Sequence, residues 1–365
     1  MRLLYSSPAV LLLAFCSLAF AGTKFAAPVP YTTGALAPNG VALGDLNGDG
    51  HLDVVVANSD NPGTIAVLLG NGDGTLKPPV TYSAGEWPGF VLIADFNHDG
   101  HLDVATANRA IGTSGQVLIF LGNGDGTLQA PGAYGPFTDA FSLAVGDFNR
   151  DGKLDIAVAD TSSGSLLLGK GDGTFTYGSP IGATNAVGFA VADFNRDHNL
   201  DLAVADNSGT KIQILYGNGH GAFTLSSSYT VSTPPIALIA RDLNGDGVPD
   251  IVVSDEAVNN VGSNVTVFLS SPSGYLAKEY PYGAEPRSIA FGTFNGRNDI
   301  VTADEFNGNV DIFLNIGKGV FGAPVVIADG AFNAVAVAVG DLNGDKKQDI
   351  VVTDGLYDVR VILQQ

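Results

Sequence analysis

A nine-residue stretch, Asp45-Leu46-Asn47-Gly48-Asp49-Gly50-His51-Leu52-Asp53, limits what this chain can fold into more than any other feature, because it is written again and again. It recurs at 95–103, 147–155, 193–201, 242–250 and 341–349, and a damaged copy occupies 293–299. Counting Thr293 as the start of the damaged copy, successive first positions stand 50, 52, 46, 49, 51 and 48 residues apart. A period of this size, sustained over the chain, belongs to propellers and solenoids.

Side-chain oxygens fall at positions 1, 3, 5 and 9 of each copy. They are Asp45, Asn47, Asp49 and Asp53; Asp95, Asn97, Asp99 and Asp103; Asp147, Asn149, Asp151 and Asp155. The later copies supply Asp193, Asn195, Asp197 and Asp201; Asp242, Asn244, Asp246 and Asp250; Asp341, Asn343, Asp345 and Asp349. A loop wound around a cation aims every second side chain inward, and Gly at position 6 permits the sharp turn. Position 7 then offers its backbone carbonyl, which leaves its side chain free to vary: His51, His101, Lys153, Asn199, Val248, Lys347. Hard oxygen donors without His or Cys in ligating places point to Ca2+ rather than zinc or copper. At an effective dielectric of ~20, two unit charges ~4 Å apart repel by ~4 kcal/mol, a cost that a divalent ion removes. A solvated Asp/Asn/Gly turn would account for one copy; six near-complete copies favour the ion.

The copies are not equal. Those starting at Asp45, Asp95, Asp147 and Asp242 keep every ligand and the Gly, which predicts about four firm calcium sites. His198 and Lys346 replace the Gly in two others, and Lys346 and Lys347 add positive charge, which predicts two weaker sites. The 293–299 copy has lost position 1 and two residues of length, and is expected to be blank.

Acidic residues outnumber basic ones by 37 to 17, for a net charge of -20, and no basic patch breaks the excess, which argues against nucleic acid as a partner. Residues 1–21 read as a signal peptide, with Arg2 at the start, an apolar stretch over 9–19 and Ala19-Phe20-Ala21 at the cleavage point. A membrane anchor would need about 18 unbroken apolar residues, which Ser17 and Gly22-Thr23-Lys24 interrupt. Lipoprotein processing at Cys16 is disfavoured by Phe15 before it. The expectation is an exported chain, secreted, periplasmic or at the cell surface, without a transmembrane segment after cleavage and monomeric. Since Cys16 is the only Cys, the mature domain over 22–365 has no disulfide, and metal is the obvious staple.

Each unit reads as four strands. An apolar stretch such as Gly40-Val41-Ala42-Leu43 precedes the loop, and a β-branched run such as Val54-Val55-Val56 follows it, ended by Asn or Asp (Asn58, Asn108, Asp160, Asp206, Asp255, Asp304, Asp354) in an expected Asx turn. A third strand, a Gly-rich hairpin turn and a more polar fourth strand at 75–82 complete the unit. Neither Gly70-Asn71-Gly72-Asp73-Gly74 nor Gly122-Asn123-Gly124-Asp125-Gly126 opens a helix, so a dinucleotide loop is a poor reading of them. An EF-hand fails likewise, lacking flanking helices and a Glu at position 12. Seven such units describe an all-β, seven-bladed β-propeller of four-stranded blades. The last unit stops after its third strand, 359–363, while residues 22–31 repeat the theme of a fourth strand. The N-terminal strand is therefore expected to complete the last blade and close the ring.

The units resemble FG-GAP repeats of the bacterial secreted VCBS type, related to the N-terminal propeller of integrin α subunits. The resemblance is carried by the Asp-x-Asn-x-Asp-Gly-x-x-Asp loops, the Gly-Asn-Gly-Asp-Gly-Thr turns and Phe321-Gly322-Ala323-Pro324, and it covers the whole mature chain. It implies calcium in the loops between first and second strands, on the lower face. It also implies ligand recognition on the opposite face, through fourth-to-first and second-to-third connections.

On that opposite face the longest second-to-third connections are 108–114 and 255–260, and the fourth-to-first connections bring Glu86-Trp87, Asp139, Phe141, Glu285-Pro286-Arg287 and Phe332-Asn333. Trp87, Arg109, Glu256 and Arg287 are the candidate ligand contacts, although Trp87 could instead fill a gap between blades and the arginines could be merely solvated. The leading expectation is a ligand-binding or adhesion module for an extracellular protein or glycan. The alternatives are a carbohydrate-active enzyme with its site at the channel mouth, and a passive structural module. Catalysis has little support: Gly-x-Ser-x-Gly is absent, the mature chain has no Cys, and Asp304-Glu305 and Asp255-Glu256 would serve as acid and base only if brought together.

Overall fold

The computed structural model describes residues 23–109, 115–256, 263–282, 285–328, 330 and 333–365. The leader at 1–21 with Cys16, most of the 108–114 connection, Ala257–Asn260 and Phe332 lie outside the described residues. Seven sheets of four antiparallel strands make up the chain, with a single 3-10 turn, Asn207–Gly209, among the described residues. Blade 1 is Pro38–Gly44, Asp53–Asn58, Gly63–Leu68 and Val80–Gly85, each strand paired with the next. Blades 2 to 5 repeat that order through Pro281. Blade 6 inserts a small hairpin, Asn315–Gly317 with Val320–Phe321, before its fourth strand Val325–Ala328.

Ring closure is as the termini suggest. Val337–Gly340, Asp349–Thr353 and Asp358–Ile362 form three strands of blade 7, and Val29–Thr32 from the other end of the chain is the fourth, with Val29 opposite Val361 and Tyr31 opposite Val359. One boundary is corrected. The fourth strand of blade 1 is Val80–Gly85 rather than 75–82, because Leu76 makes an isolated bridge to Gly70, Lys77 N–H donates to Leu69 O, and Pro78 and Pro79, which have no N–H, then interrupt the ladder.

Alternation explains why second strands read as unbroken apolar runs. Val54 and Val56 join Leu342, Val351 and Val361 of blade 7, whereas Val55 and Ala57 join Val91, Val104 and Phe120 of blade 2. With a period of two, one strand serves two interfaces, so both its faces must be apolar. Seven such clusters, each shared by two neighbouring blades, replace a single central core. Fourth-strand tyrosines add a polar link between blades: the hydroxyls of Tyr82, Tyr134 and Tyr280 accept the N–H groups of Leu128, Phe175 and Phe321 at 3.1, 3.1 and 3.0 Å. First strands abut around the axis and carry many half-buried residues. Since strands alternate in direction, first-to-second and third-to-fourth connections share one face and the remaining connections share the other.

Candidate functional sites on the two faces

The repeated loops are built by their own aspartates. In the first loop one Asp45 oxygen accepts N–H groups of Gly48 and Asp49 at 2.8 and 3.1 Å, and the other accepts Gly50 N–H at 2.8 Å. The Asn47 carbonyl accepts the same Asp49 N–H at 2.9 Å, so oxygens of positions 1 and 3 meet on one donor. Asp49 in turn accepts His51 N–H at 2.9 Å. The bond from position 6 to position 1 recurs in the loops beginning at Asp95, Asp147, Asp193, Asp242 and Asp341. His198 and Lys346 do take the left-handed conformation expected at position 6, with φ of 68° and 67°. A second left-handed place, position 4, was not anticipated; it is held by Gly48, Gly245 and Gly344 but also by His98, Arg150 and Arg196 at φ 57°, 59° and 63°.

Position 9 has a role that ligand-counting alone does not disclose. Asp53 is fully buried, and its two oxygens accept Leu46 N–H at 2.9 Å and Gly70 N–H at 2.8 Å, pinning the loop to the end of the third strand. The same pair of bonds recurs at Asp103, Asp155, Asp201, Asp250 and Asp349, and survives at Asp299 in the damaged loop. Burial pushes the Asp53 carboxyl above its ordinary range, the two N–H groups pull it down, and the charges of Asp49 and Asp45 push it up again. Among the described residues, no three Asp, Glu, His or Cys side chains close on one point. The donor set nonetheless has the character a hard divalent cation requires, with carboxylates at 1, 5 and 9 and an amide oxygen at 3.

In the 293–299 loop, amides and a guanidinium stand where acids are missing. Arg297 lies 3.5 Å from the Asn315 carbonyl, and Asn298 donates across to the Asp242 carbonyl of blade 5 at 2.9 Å. In this loop Asp299 alone of the acids remains, holding its two backbone N–H groups.

On the opposite face each second-to-third connection is tied to its own fourth-to-first connection. Trp87 N–H donates to Asp60 O, and Trp87 O accepts Arg109 N–H, both at 3.1 Å. Trp87 is left-handed at φ 51°, as are Ala37, Asp139 and Asn185 at equivalent places. Its ring is half-buried.

Three of the four ligand candidates lie within electrostatic reach of one cluster on this face: Arg287 acts on Arg109, and Glu256 acts on Glu285, the partner of Arg287. The Arg109 guanidinium lies 4.3 Å from the Phe141 ring centre. Burial lowers the pKa of Arg109; Asp139 raises it and Arg287, reaching from blade 6, lowers it. Arg287 is itself paired with Glu285 at 3.6 Å and Glu305 at 3.4 Å. Burial and the charges of Glu305 and Glu256 push the Glu285 carboxyl upward, against Arg287. Arg287 is therefore an ion-paired organiser of the mouth rather than a solvated side chain. The suggested acid pairs diverge: Asp304 caps its own turn by accepting Phe306 and Asn307 N–H groups at 3.1 Å while Glu305 turns to Arg287. Asp255 is buried against Thr266, with Glu256 outside it. The Asx-turn reading likewise holds for Asp160, Asp304 and Asp354, whereas Asp206 caps the 3-10 turn by accepting Gly209 N–H three residues on, and Asn58 and Asn108 bond to Thr64 and to the Ala84 carbonyl.

The sequence reading missed an apolar arc on this face. Phe306, Tyr357 and Leu36 are 72%, 56% and 53% exposed in the connections of blades 6, 7 and 7-to-1, and Leu356 stands beside them, its carbonyl accepting Ala37 N–H. Bulky apolar residues in turns are the signal, and it was available.

A family model described as "FG-GAP-like repeat" matches residues 45–106, 109–158, 147–204, 193–253 and 293–352. No curated protein matches the sequence. Among solved structures, BBS1N crystallised in complex with ARL6DN is similar over 93% of this chain and 96% of its own, with a TM-score of 0.65 and 16% identity. A lectin of Agrocybe aegerita, described as specifically recognising non-reducing terminal N-acetylglucosamine, is similar over 87% of this chain and 85% of its own, with a TM-score of 0.54 and 19% identity. At these identities the likeness is one of fold.

Proposed function

This chain belongs to the FG-GAP-like repeat family, and we propose that it is an exported, monomeric, non-catalytic module that binds an extracellular protein or glycan at the channel mouth opposite the repeated loops. The observation that carries this reading is the contrast in content between connections on one scaffold. The mouth gathers Arg109, Glu256, Glu285, Arg287 and Glu305, flanked by Trp87 and the arc of Phe306, Leu356 and Tyr357. Varied loops on a rigid frame are where recognition concentrates. The similar propellers, one crystallised with a protein and one recognising a sugar, agree with a binding role without choosing the ligand. A glycan and polysaccharide array, run with the protein lacking residues 1–21 and with its Trp87→Ala/Arg109→Ala variant, tests the proposal. Selective capture lost in the variant supports it, and release of sugar product or capture indifferent to the variant defeats it.

Calcium belongs to the same proposal. The loops starting at Asp45, Asp95, Asp147 and Asp242 would hold it through positions 1, 3, 5 and 9 and the position-7 carbonyl, those at Asp193 and Asp341 more weakly, and 293–299 would not bind. Bound calcium would neutralise clustered carboxylates and stiffen blades without touching the ligand. For one site at a hundredfold excess over Kd the stabilisation is ~2.7 kcal/mol, so Asp45→Ala should remove about that much of the calcium-dependent shift in melting. Calorimetric titration with seven equal sites, or with none, would overturn this assignment.

A further inference from the structure

Contacts between neighbouring blades follow one plan at five of the seven junctions among the described residues. Blade 7, whose fourth strand comes from the other end of the chain, has no hairpin turn to offer Leu314, and the junction of blades 4 and 5 departs for a different reason. The Leu ending a third strand packs against a turn glycine of the next blade: Leu363 on Gly74, Leu69 on Gly126, Leu121 on Gly173, Leu168 on Gly221, Leu269 on Gly319. At Gly74, Gly126 and Gly319 a Cβ would meet that Leu at 2.7, 2.6 and 2.4 Å, so the turn plugs the gap closely. Backbone bonds from Gly74, Gly126 and Gly221 to the preceding loop reinforce the plug. Between blades 4 and 5 both halves of the plan are altered. Tyr216 stands where the other six blades have Leu69, Leu121, Leu168, Leu269, Leu314 and Leu363. The blade 5 turn is Ser271-Pro272-Ser273-Gly274, closed tightly with Ser271 paired to Gly274, and it lays Gly274 against the Tyr229 hydroxyl instead of a third-strand side chain. A cleft of about 450 Å³ opens there, on the face of the repeated loops.

One wall is aromatic and held in place, and the rest of the lining is largely polar. Tyr216 is 36% exposed, and the Tyr229 and Tyr275 rings meet edge-on with centres 5.6 Å apart. Tyr275 donates its hydroxyl proton to Pro249 O at 2.8 Å, and Tyr229 accepts Tyr275 N–H at 3.3 Å, so neither ring is free to turn away. Arg196 spans the cleft, donating from Nη2 to Asp246 O at 2.7 Å, and the Asp246 carboxylate accepts the Ser270 hydroxyl at 2.9 Å.

We propose that this cleft binds one pyranose ring of a neutral glycan. A pyranose offers an apolar C–H face and an edge of hydroxyls, which match an aromatic wall beside a guanidinium and serine hydroxyls. The loop carboxylates Asp242, Asp246 and Asp250 outnumber Arg196, and a Ca2+ held by them would bring the sum to zero, so a neutral ring is favoured over a uronate in either case. The volume lies within the ~300–1,000 Å³ usual for small-ligand sites. This site is separate from the mouth and stands whether or not the mouth binds anything.

Saturation-transfer NMR of the full chain with the methyl glycosides of glucose, galactose, mannose and N-acetylglucosamine tests it. Transfer to the ring protons of at least one glycoside is expected. Tyr216→Leu, the residue the other blades carry, should weaken that binding about tenfold without changing the melting temperature, and Arg196→Ala should weaken it as well. Absence of transfer to all four glycosides, or equal transfer in both variants, overturns the proposal.

Discussion

On one face of the ring, seven buried aspartates each hold two backbone N–H groups in nearly the same geometry. On the other, acids of the same chain sit beside one another with an arginine between them, as at Glu285, Arg287 and Glu305. The first arrangement repeats because every blade needs the same joint between its strands. The second occurs once among the described residues: its ion pairs are made at blade 6, and Arg109 of blade 2 and Glu256 of blade 5 act on that cluster from other blades. Damage to the first face should therefore appear as lost stability, and damage to the second as lost recognition.

The comparison is broken most severely by opening the ring. Deleting residues 22–32 removes the partner of Asp358–Ile362 and leaves that edge unpaired, so stability should fall by more than any single substitution removes. A truncated chain melting like the parent would mean that blade 7 stands without its fourth strand.

Next comes position 9. Hydrogen bonds to charged groups are worth ~1.5–3 kcal/mol each, so Asp103→Ala should cost about 3–5 kcal/mol in urea unfolding. Asp299→Ala, in the loop that lacks position 1, should cost about as much, because its two N–H bonds at 2.8 Å are the same. If Asp299→Ala is nearly neutral while Asp103→Ala is severe, the joint depends on a bound cation and the reading of a structural pin is wrong.

This pin shows how far the sequence could be read. Aspartate at position 9 was visible as a repeated oxygen, but its second partner, Gly70 for Asp53, lies a whole strand pair away and cannot be inferred from loop spacing. Blade number, strand order and closure were legible because repetition averages out local ambiguity. The cross-blade hydroxyls of Tyr82 and Tyr134 were not, since fourth strands look merely polar in isolation. Leu356-Tyr357 escaped notice because it precedes an apolar strand and reads as its beginning; the turn that exposes it comes from Asp354 accepting Leu356 N–H. At the mouth, Arg109 and Arg287 could be named, but their approach from blades 2 and 6 is a product of ring closure.

A third prediction concerns a buried acid outside the repeated loops. Asp311, in the third strand of blade 6, is buried and accepts the Tyr282 hydroxyl; burial pushes its carboxyl up to about 6. Its folded pKa lies above the unfolded value, so the folded state prefers the neutral form. Its contribution is most favourable below the ordinary value of 3.8 and is lost as pH rises through about 6. Asp311→Asn keeps an acceptor for Tyr282 without the charge. It should stabilise the protein at pH 7, by at most ~3 kcal/mol, with the gain shrinking as pH falls to 4. A gain independent of pH would show that the effect is packing rather than ionisation.

The smallest effect on stability, and the largest on recognition, is expected from Trp87→Ala combined with Arg109→Ala. Trp87 holds its connection through its own N–H and C=O, and both remain when the ring is removed. Arg109 loses its stack on Phe141, worth ~0.5–1 kcal/mol at an exposed site, and the half-buried indole adds a similar amount. Together they should cost about 1–2 kcal/mol, well below the loss at Asp103. The same pair removes an aromatic flank and the Arg109 guanidinium, leaving Arg287 held between Glu285 and Glu305 and the mouth more acidic. Binding to whatever ligand the array identifies should then disappear while the melting curve barely moves. A variant that melts as early as Asp103→Ala would make these connections structural and erase the distinction between the faces. Intact binding in a well-folded variant would keep the distinction but remove the mouth as its functional side.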